Sequence, residues 1–348
     1  VNVNPSTKKT LIIGGGISGL SAAVHLARLG VAVILVERSA SLGGHAAQLS
    51  CKATDRCVAC GACMVEENIR EATAHDAVQI LLNTHIEKID RQQRFEVTLN
   101  QDGQPMTFSV DAVLLASGFT PFDPVNKPYG YGRFENVMTH LELDRMMRRC
   151  GVIKQPSNDA FPGNMAFIQC VGSRDSSLGH LWCSKICCGA ALRMARCIQY
   201  RQPEVKTTFF YIDVQNFGKN FQAYYAETQQ KVRMIRAIPA DVIKTADDRL
   251  KLSYFDPDTR AYQEAVFDMV ILSIGLMPSE STRNLAAMLN IDLNGFSFDQ
   301  KPALRIPDGV FLAGTALEPM SIAESVFSAG IAAGDIYHYL TNQDTDIR

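Results

Sequence analysis

The stretch TLIIGGGISGLSAAVHLARLGVAVILVER, residues 10–38, decides the fold. Its apolar run from Leu11 to Ile13 predicts a short strand, and Gly14-x-Gly16-x-x-Gly19 predicts the tight turn that follows. A helix comes next, with Ala22 and Ala23 keeping one face small, and a second apolar strand ends at Glu37. Strand, glycine turn, helix, strand and terminal acid in this order make a dinucleotide-binding βαβ unit. Gly14 permits the turn, Gly16 lets the backbone come close to a pyrophosphate, and Gly19 lets the helix lie against the strand. The pyrophosphate belongs at the helix N-terminus, over Gly16, Ile17, Ser18 and Gly19, where unpaired N–H groups and the helix dipole attract anions. Glu37 is placed to accept from a ribose hydroxyl.

The remainder of the chain bounds what accompanies this unit. Its 348 residues predict roughly two domains, at about 150 residues apiece. With 47% hydrophobic residues, 20% charged residues and a formal net charge of -2, it reads as a globular protein, and no basic run points to nucleic acid. The longest apolar runs, such as VAVILV and MVILSIGLM, are strand length and well short of the roughly 20 residues of a transmembrane helix. The opening VNVNPSTKKT leads into a strand without an apolar signal region, so a cytoplasmic protein with no transmembrane segment is expected.

The middle of the chain reads as a second α/β unit. NMAFIQCVGS predicts a strand, WCSKICCGAALRMARC a helix from about Ser184, VKTTFFYID a strand, GKNFQAYYAETQQKV a helix and MVILSIGLM a late strand. Prolines 121, 124, 128, 156 and 162 punctuate the approach to it. The expected fold is α/β, with two Rossmann-like dinucleotide-binding domains of the thioredoxin-reductase and glutathione-reductase type. Residues 1–122 and 290–348 form a discontinuous FAD-binding domain, and residues 123–289 form an inserted domain. Three segments resemble the flavin-contacting parts of two-dinucleotide-domain flavoproteins: the Gly43-Gly44 pair after Glu37, DAVLLASGF from Asp111, and GVFLAGTA from Gly309. FAD is therefore preferred over NAD for the first domain. In pyridine-nucleotide disulfide reductases the inserted domain binds NAD(P)H through a glycine-rich turn of its own. Here that turn reads Gln169-Cys170-Val171-Gly172-Ser173-Arg174-Asp175, without the glycine triplet.

Ten cysteines are more than a reducing compartment needs for packing, which shifts weight toward metal or redox use. Cys170, Cys183, Cys187 and Cys188 form one group. In a helix from Ser184, Cys183 and Cys187 share a face and Cys188 lies about 100° further round, with Cys170 arriving from the preceding strand. Structural zinc sites favour C-x2-4-C knuckles over adjacent ligands, whereas an iron-sulfur cube spreads its attachment points so that neighbouring cysteines reach different irons. A vicinal disulfide would leave Cys170 and Cys183 unexplained. The other group, Cys51, Cys57, Cys60 and Cys63, contains the C-x2-C-x2-C spacing of bacterial ferredoxins without the nearby C-P. Cys51 is the obvious fourth ligand, with His45 or Asp55 as alternatives; a redox disulfide between two of these cysteines is the competing reading. Cys150 and Cys197 read as small apolar residues. His25 and the aromatic FQAYYAET read as packed helix faces, Trp182 as a cover for the nearby cysteines, and Arg174 and Asp175 as either paired or solvated.

VGSRDSSLGHLWCSKICCGAALRMA, residues 171–195, resembles the signature of HdrA, the flavin subunit of heterodisulfide reductases. The resemblance extends to ASGFTPFDP, YGYG at Tyr129 to Gly132, VILSIGLMP and GVFLAGTALEP, and so covers essentially the whole chain. It implies a [4Fe-4S] cluster on Cys170, Cys183, Cys187 and Cys188; the ferredoxin-like spacing of Cys57, Cys60 and Cys63, with Cys51, offers a second. It further implies FAD held by Gly14, Gly16, Ile17, Ser18, Gly19, Glu37, Arg38, Gly44, His45, Ile86, Ala116, Ser117, Gly118, Gly314, Thr315 and Ile322. Arg193 stands where the family has a lysine near the flavin and takes the catalytic position; a guanidinium there stabilises flavin charge differently from an ammonium. No ferredoxin-type C-x2-C-x2-C-x3-C-P module is present, and LEPMSIAES replaces the usual GPKDI. The chain is therefore similar to the short HdrA-like subunit of bacterial sulfur-oxidising sHdr complexes. The implied activity is that of an oxidoreductase subunit passing electrons between flavin and clusters, with HdrB/HdrC-like partner subunits and a homodimer. An NAD(P)H-dependent disulfide reductase and a non-catalytic zinc-bearing assembly platform are the rival readings.

Overall fold

The computed structural model describes residues 8–215, 218, 220–291 and 306–342. Residues 1–7, 292–305 and 343–348, which the sequence reading places in the first domain, lie outside the described residues. The chain divides into two compact units: residues 1–47, 61–120 and 277–348 make the first, and residues 48–60 and 121–276 the second.

The first unit contains β1 (Lys9–Ile13), α1 (Ile17–Arg28), β2 (Ala32–Val36), α2 (Met64–Ala74), β3 (Val78–Leu81), β4 (Thr84–Arg91), β5 (Phe95–Gln101), β6 (Gln104–Val110) and β7 (Ala112–Leu115). The chain leaves it through β8 (Phe119–Pro121) and returns through β17 (Leu276–Pro278) to α6 (Glu280–Met288), β18 (Val310–Leu312) and α7 (Ile322–Asn342). Its parallel sheet runs in the order β18-β7-β1-β2-β3, and β4-β5-β6 form a separate antiparallel sheet. Residues Leu11 to Ile13 of β1 and the whole of β7 read as unbroken apolar runs because both faces are covered. Ile12 and Leu114 join the core with Leu20, Ala23 and Ile336 of the helices. Leu11, Ile13, Val113 and Leu115 join the opposite core with Val97, Leu99 and Leu285.

The second unit repeats the plan with β9 (Val137–Thr139), α3 (His140–Cys150), β10 (Asn164–Val171), α4 (Cys187–Arg201), β11 (Lys206–Phe210), α5 (Phe221–Gln229), β12 (Arg233–Ile235), β13 (Asp241–Lys244), β14 (Leu250–Asp256), β15 (Ala261–Phe267) and β16 (Met269–Ile274). The parallel order is β12-β11-β10-β16-β9, and β13-β14-β15 are antiparallel. Met165 and Phe167 face the helices, and Ala166 and Ile168 face the antiparallel sheet. The fold is therefore α/β, with two dinucleotide-type parallel sheets, each packed by helices on one face and by an antiparallel sheet on the other.

Three features differ from the sequence expectations. Residues 277–289, read as the end of the inserted domain, belong to the first unit, because Leu285 and Ala286 of α6 pack into its core. The segment 48–60, read as part of the first domain, belongs to the second unit, because Ser50 N–H and Oγ (2.8 and 2.6 Å) and Lys52 Nζ (2.5 Å) all bond to the Asp144 carboxylate of α3. Helix α4 begins at Cys187 and not near Ser184. Ser184 Oγ is held by the Leu276 N–H (2.8 Å) and Lys185 is left-handed (φ 59°), so residues 183–186 form a turn. Cys183 lies on that turn, and only Cys187 and Cys188 open the helix.

Candidate dinucleotide cradle and cysteine centre

In a doubly wound sheet a crevice opens where strand order reverses, at the carboxyl ends of the strands. In the first unit this is the gap between β1 and β7, and the Gly14 turn stands at its mouth. Gly14 has φ +113°, and a Cβ there would sit 2.4 Å from Ala116 O. At Gly19 a Cβ would sit 1.9 Å from Gly14 O, so helix α1 crosses its own turn as closely as backbone allows. A Cβ on Gly16 would meet nothing within 4 Å, which leaves open the flank a pyrophosphate needs. Gly16 caps α1 without a side-chain bond, so the N–H groups at Ile17 to Gly19 face outward as an anion cradle.

The carboxylate of Glu37 is fixed from both sides. Its Oε2 accepts the Gly15 N–H (2.8 Å), and its Oε1 accepts the N–H (2.9 Å) and Oγ (2.7 Å) of Ser39. Gly43 donates to Gly15 O (2.7 Å), and a Cβ on Gly44 would come 3.3 Å from Gly16 Cα, so the diglycine lies on the turn. Gly314 (φ +66°) backs onto Ser18, whose Oγ would meet its Cβ at 2.0 Å. His45 stacks on Phe119 at 4.5 Å, and Ser117 Oγ lies 2.6 Å from Thr282 Oγ1. Gly118 is a left-handed residue (φ +77°), Thr315 belongs to a short 3-10 turn, and Ile322 packs on Gly61. Arg38 is exposed beside Glu37, while Ile86 lies on β4 against the core shared with the antiparallel sheet. The structure thus gathers Gly14 to Gly19, Glu37, Gly44, Ala116 and Gly314 around one turn. Ser39, which locks Glu37, was missed, although a serine two residues past an acid is a local capping signal.

In the second unit the equivalent reversal lies between β10 and β16. Cys170 is the last residue but one of β10 there, inside a register shift between Ile168 and Val171, and is left-handed (φ 61°). Cys170, Cys183, Cys187 and Cys188 are close enough for each charge to alter the ionisation of the others. Burial pushes the Cys170 thiol up to about 12, with Cys188 adding to the rise and Arg174 opposing it. Burial likewise raises Cys183. A hydrogen bond shared with Cys188 raises Cys187 and lowers Cys188.

Around the four thiols, Arg174 is forked onto Asp213 and Asp175 is paired with Lys127. Both residues of the Arg-Asp dipeptide are therefore braces of this loop. Trp182 donates to Leu276 O (3.0 Å) and lies 4.7 Å from His180, covering the turn. Helix α4 has no side-chain N-cap, and Cys187 and Cys188 are its first two residues, at the positive end of the helix dipole.

The first cysteine group divides between the units: Cys51, Cys57 and Cys60 fall in the second, and Cys63, which caps α2, in the first. Cys57 Sγ accepts the Ala59 N–H (3.4 Å), as Cys183 Sγ accepts the Lys185 N–H (3.3 Å). In both turns the donor is left-handed, at φ 49° and 59°. Asp55 is bonded to its neighbour Thr54 (2.8 Å), and His45 to Phe119, so both alternative fourth ligands have other partners. Arg193 points its guanidinium over Tyr224, 5.9 Å from the ring centroid.

Among the described residues, no three His, Cys, Asp or Glu side chains are arranged to hold a metal ion. The donor set itself suits a larger group. Four thiols forced together repel as thiolates, and a polynuclear iron cation relieves that repulsion while spacing its ligands around a larger body.

A family model described as pyridine nucleotide-disulphide oxidoreductase matches residues 8–157. Over 93% of its length the chain is 28% identical to the HdrA of the H(2):CoB-CoM heterodisulfide,ferredoxin reductase of Methanothermobacter marburgensis, covering 63% of it. Over 94% it is 30% identical to an iron-sulfur HdrA of the CoB--CoM heterodisulfide reductase of Methanopyrus kandleri, again covering 63% of that protein. The chain is related to the HdrA proteins of heterodisulfide reductases. It spans less than two thirds of the length of these HdrA relatives. In fold it is similar to the thioredoxin reductase of T. acidophilum, with a TM-score of 0.60 at 17% identity over 95% of this chain and 98% of that one. No helix among the described residues is long and apolar enough to cross a membrane.

Proposed function

We propose that this chain is a FAD- and [4Fe-4S]-containing electron-transfer subunit of a heterodisulfide-reductase-like complex. The observation that carries the reading is the position of Cys170. It lies near the carboxyl end of the central strand of the second unit, at the crevice where a nicotinamide dinucleotide is usually held, and Cys183, Cys187 and Cys188 gather around it. In this reading the discontinuous first domain binds FAD through the cradle at Gly14 to Gly19, with Glu37 on the ribose. Gly44, His45, Ile86, Ala116 to Gly118, Gly314, Thr315, Ile322 and Arg38 complete its surroundings. One cluster is held by Cys170, Cys183, Cys187 and Cys188, and a second by Cys51, Cys57, Cys60 and Cys63.

FAD supplies the exchange between two-electron and one-electron carriers. The chain's own residues set the conditions for it. The outward N–H groups of α1 hold a diphosphate, and Glu37, fixed by Gly15 and Ser39, fits a hydroxyl pair. The α4 N-terminus and the Lys185 N–H stabilise sulfur charge, and Trp182 with His180 limits water at the turn. Partners of the HdrB/HdrC kind, a homodimer, a cytoplasmic location and a role in oxidising sulfane sulfur complete the proposal. They rest on the likeness to the short HdrA-like form.

Anaerobic purification followed by flavin, iron and sulfide analysis tests it. One FAD and about eight irons and eight sulfides per chain are expected, with an EPR signal on reduction. A colourless, iron-free chain that reduces disulfides with NADPH would establish the disulfide reductase instead. Zinc in the thiol sites would establish the assembly platform.

A further inference from the structure

Two guanidiniums and a phenol in the second unit have buried polar atoms that nothing in the fold satisfies: Arg193 Nε, Arg196 Nη1 and Tyr224 Oη. Arg193 and Arg196 are neighbours on one face of α4, and Tyr224 and Glu227 are the corresponding neighbours on α5. The helices meet in two pairs. Arg193 lies over the Tyr224 ring, 5.9 Å from guanidinium carbon to centroid, and Arg196 Nη2 bonds Glu227 Oε1 at 2.8 Å. From a third side, Arg56 Nη2 takes the other carboxylate oxygen at 2.7 Å. Both Arg193 and Arg196 act on the Tyr224 hydroxyl, each drawing its ionisation down against the rise caused by burial.

The charge count is unbalanced: Arg196 and Arg56 share the Glu227 carboxylate, and Arg193 lies over a ring. Two like charges within a turn of helix repel, and a buried N–H without an acceptor has lost its water without replacement, a penalty that grows when the donor is charged. All three unsatisfied groups are donors and none is an obligate acceptor, so the missing partner is a compact anion with several acceptor oxygens.

We propose that Arg193, Arg196 and Tyr224 form a binding site for a tetrahedral oxoanion, of the sulfate, thiosulfate and phosphate class, between α4 and α5. An in-plane N–H from one guanidinium, a terminal N–H from another and a phenolic O–H are each donors of the kind an oxoanion oxygen accepts from. Glu227 serves the site by holding Arg196 and Arg56 in place while leaving Arg196 Nη1 unengaged. The site does not depend on the flavin or cluster assignments, and its test reads heat and melting temperature, not turnover.

Isothermal titration of the purified full chain with sodium thiosulfate and with sodium sulfate, at ionic strength held constant with chloride, is the experiment. Saturable one-site binding is expected. It should weaken about tenfold in Tyr224→Phe and about a hundredfold in Arg193→Gln, as expected for loss of a neutral and of a charge-assisted donor. A second reading guards against misfolding: Arg193→Met should melt at or above the wild-type temperature in chloride, yet lose the rise that thiosulfate gives the wild type. Absence of saturable heat with both anions, or unchanged affinity in Tyr224→Phe together with Arg193→Gln, overturns the site and leaves these donors to water.

Discussion

Lys52 and Asp144 form an ion pair at 2.5 Å with side chains only 5% and 3% exposed, and Ser50 completes the carboxylate's partners. Removing one member leaves a buried charge alone, so Lys52→Met should cost about 3–5 kcal/mol in chemical denaturation. Lys52→Met combined with Asp144→Leu should recover most of that loss, because a matched apolar pair has no desolvation penalty. His140 lies beside this pair, buried, with its Nδ1 accepting the Ile274 N–H at 3.2 Å. Burial lowers its pKa to about 4. The folded value lies below the unfolded one, so the unfolded chain binds the extra proton between about pH 6.5 and 4. His140 therefore contributes stability that is complete above the unfolded pKa and is lost as pH falls through that window. The loss is about 3 kcal/mol, which a denaturant series across these pH values would read and His140→Gln would flatten. At Gly19, where a Cβ would meet Gly14 O at 1.9 Å, Gly19→Ala should abolish flavin retention during gel filtration.

Helix α3 carries its boundaries in plain sight. Thr139 Oγ1 accepts the Glu142 N–H (3.2 Å) while Glu142 Oε2 accepts the Thr139 N–H (2.7 Å), and Gly151 closes the helix in a left-handed conformation (φ 72°). Thr139→Ala should lower stability by about 1 kcal/mol in urea denaturation. The start of α4 was hidden for the opposite reason. Ser184 has the chemistry of a cap, but its hydroxyl accepts from the N–H of Leu276, a residue 92 positions away, and the helix starts later without a side-chain cap. The strands were legible where both faces are buried, since an unbroken apolar run needs no long-range knowledge. The glycine turn was legible because each glycine answers a local steric demand. Asp213 as the partner of Arg174, and the attachment of 48–60 through Asp144, were not, because ion pairs between distant segments leave no periodic trace. The two cysteine turns share one signature that spacing alone does not carry: a left-handed donor two residues after the thiol.

Each of the two units has cores of its own, so loss of cofactors should register separately in each. Stripping iron with a chelator under air should lower the melting temperature of the second unit more, since it carries Cys51, Cys57, Cys60 and the Cys170 group while the first carries only Cys63, and removing flavin that of the first, because ligands that bind only folded protein stabilise it by mass action. A calorimetric scan of the as-purified, chelated and deflavinated forms checks this. A single transition that shifts equally under both treatments would argue against separate sites.

Gly172, two residues beyond Cys170, is left-handed at φ +83°, and a Cβ there would fall 2.2 Å from the ring of Phe122. The aromatic plate arrives on the stretch just past Pro121 and fills the hollow that the glycine leaves. The two positions are locked like tenon and mortise. Any descendant lineage that enlarges residue 172 must first shrink residue 122, and one that trims Phe122 uncovers the sulfur-bearing bend to solvent and oxygen.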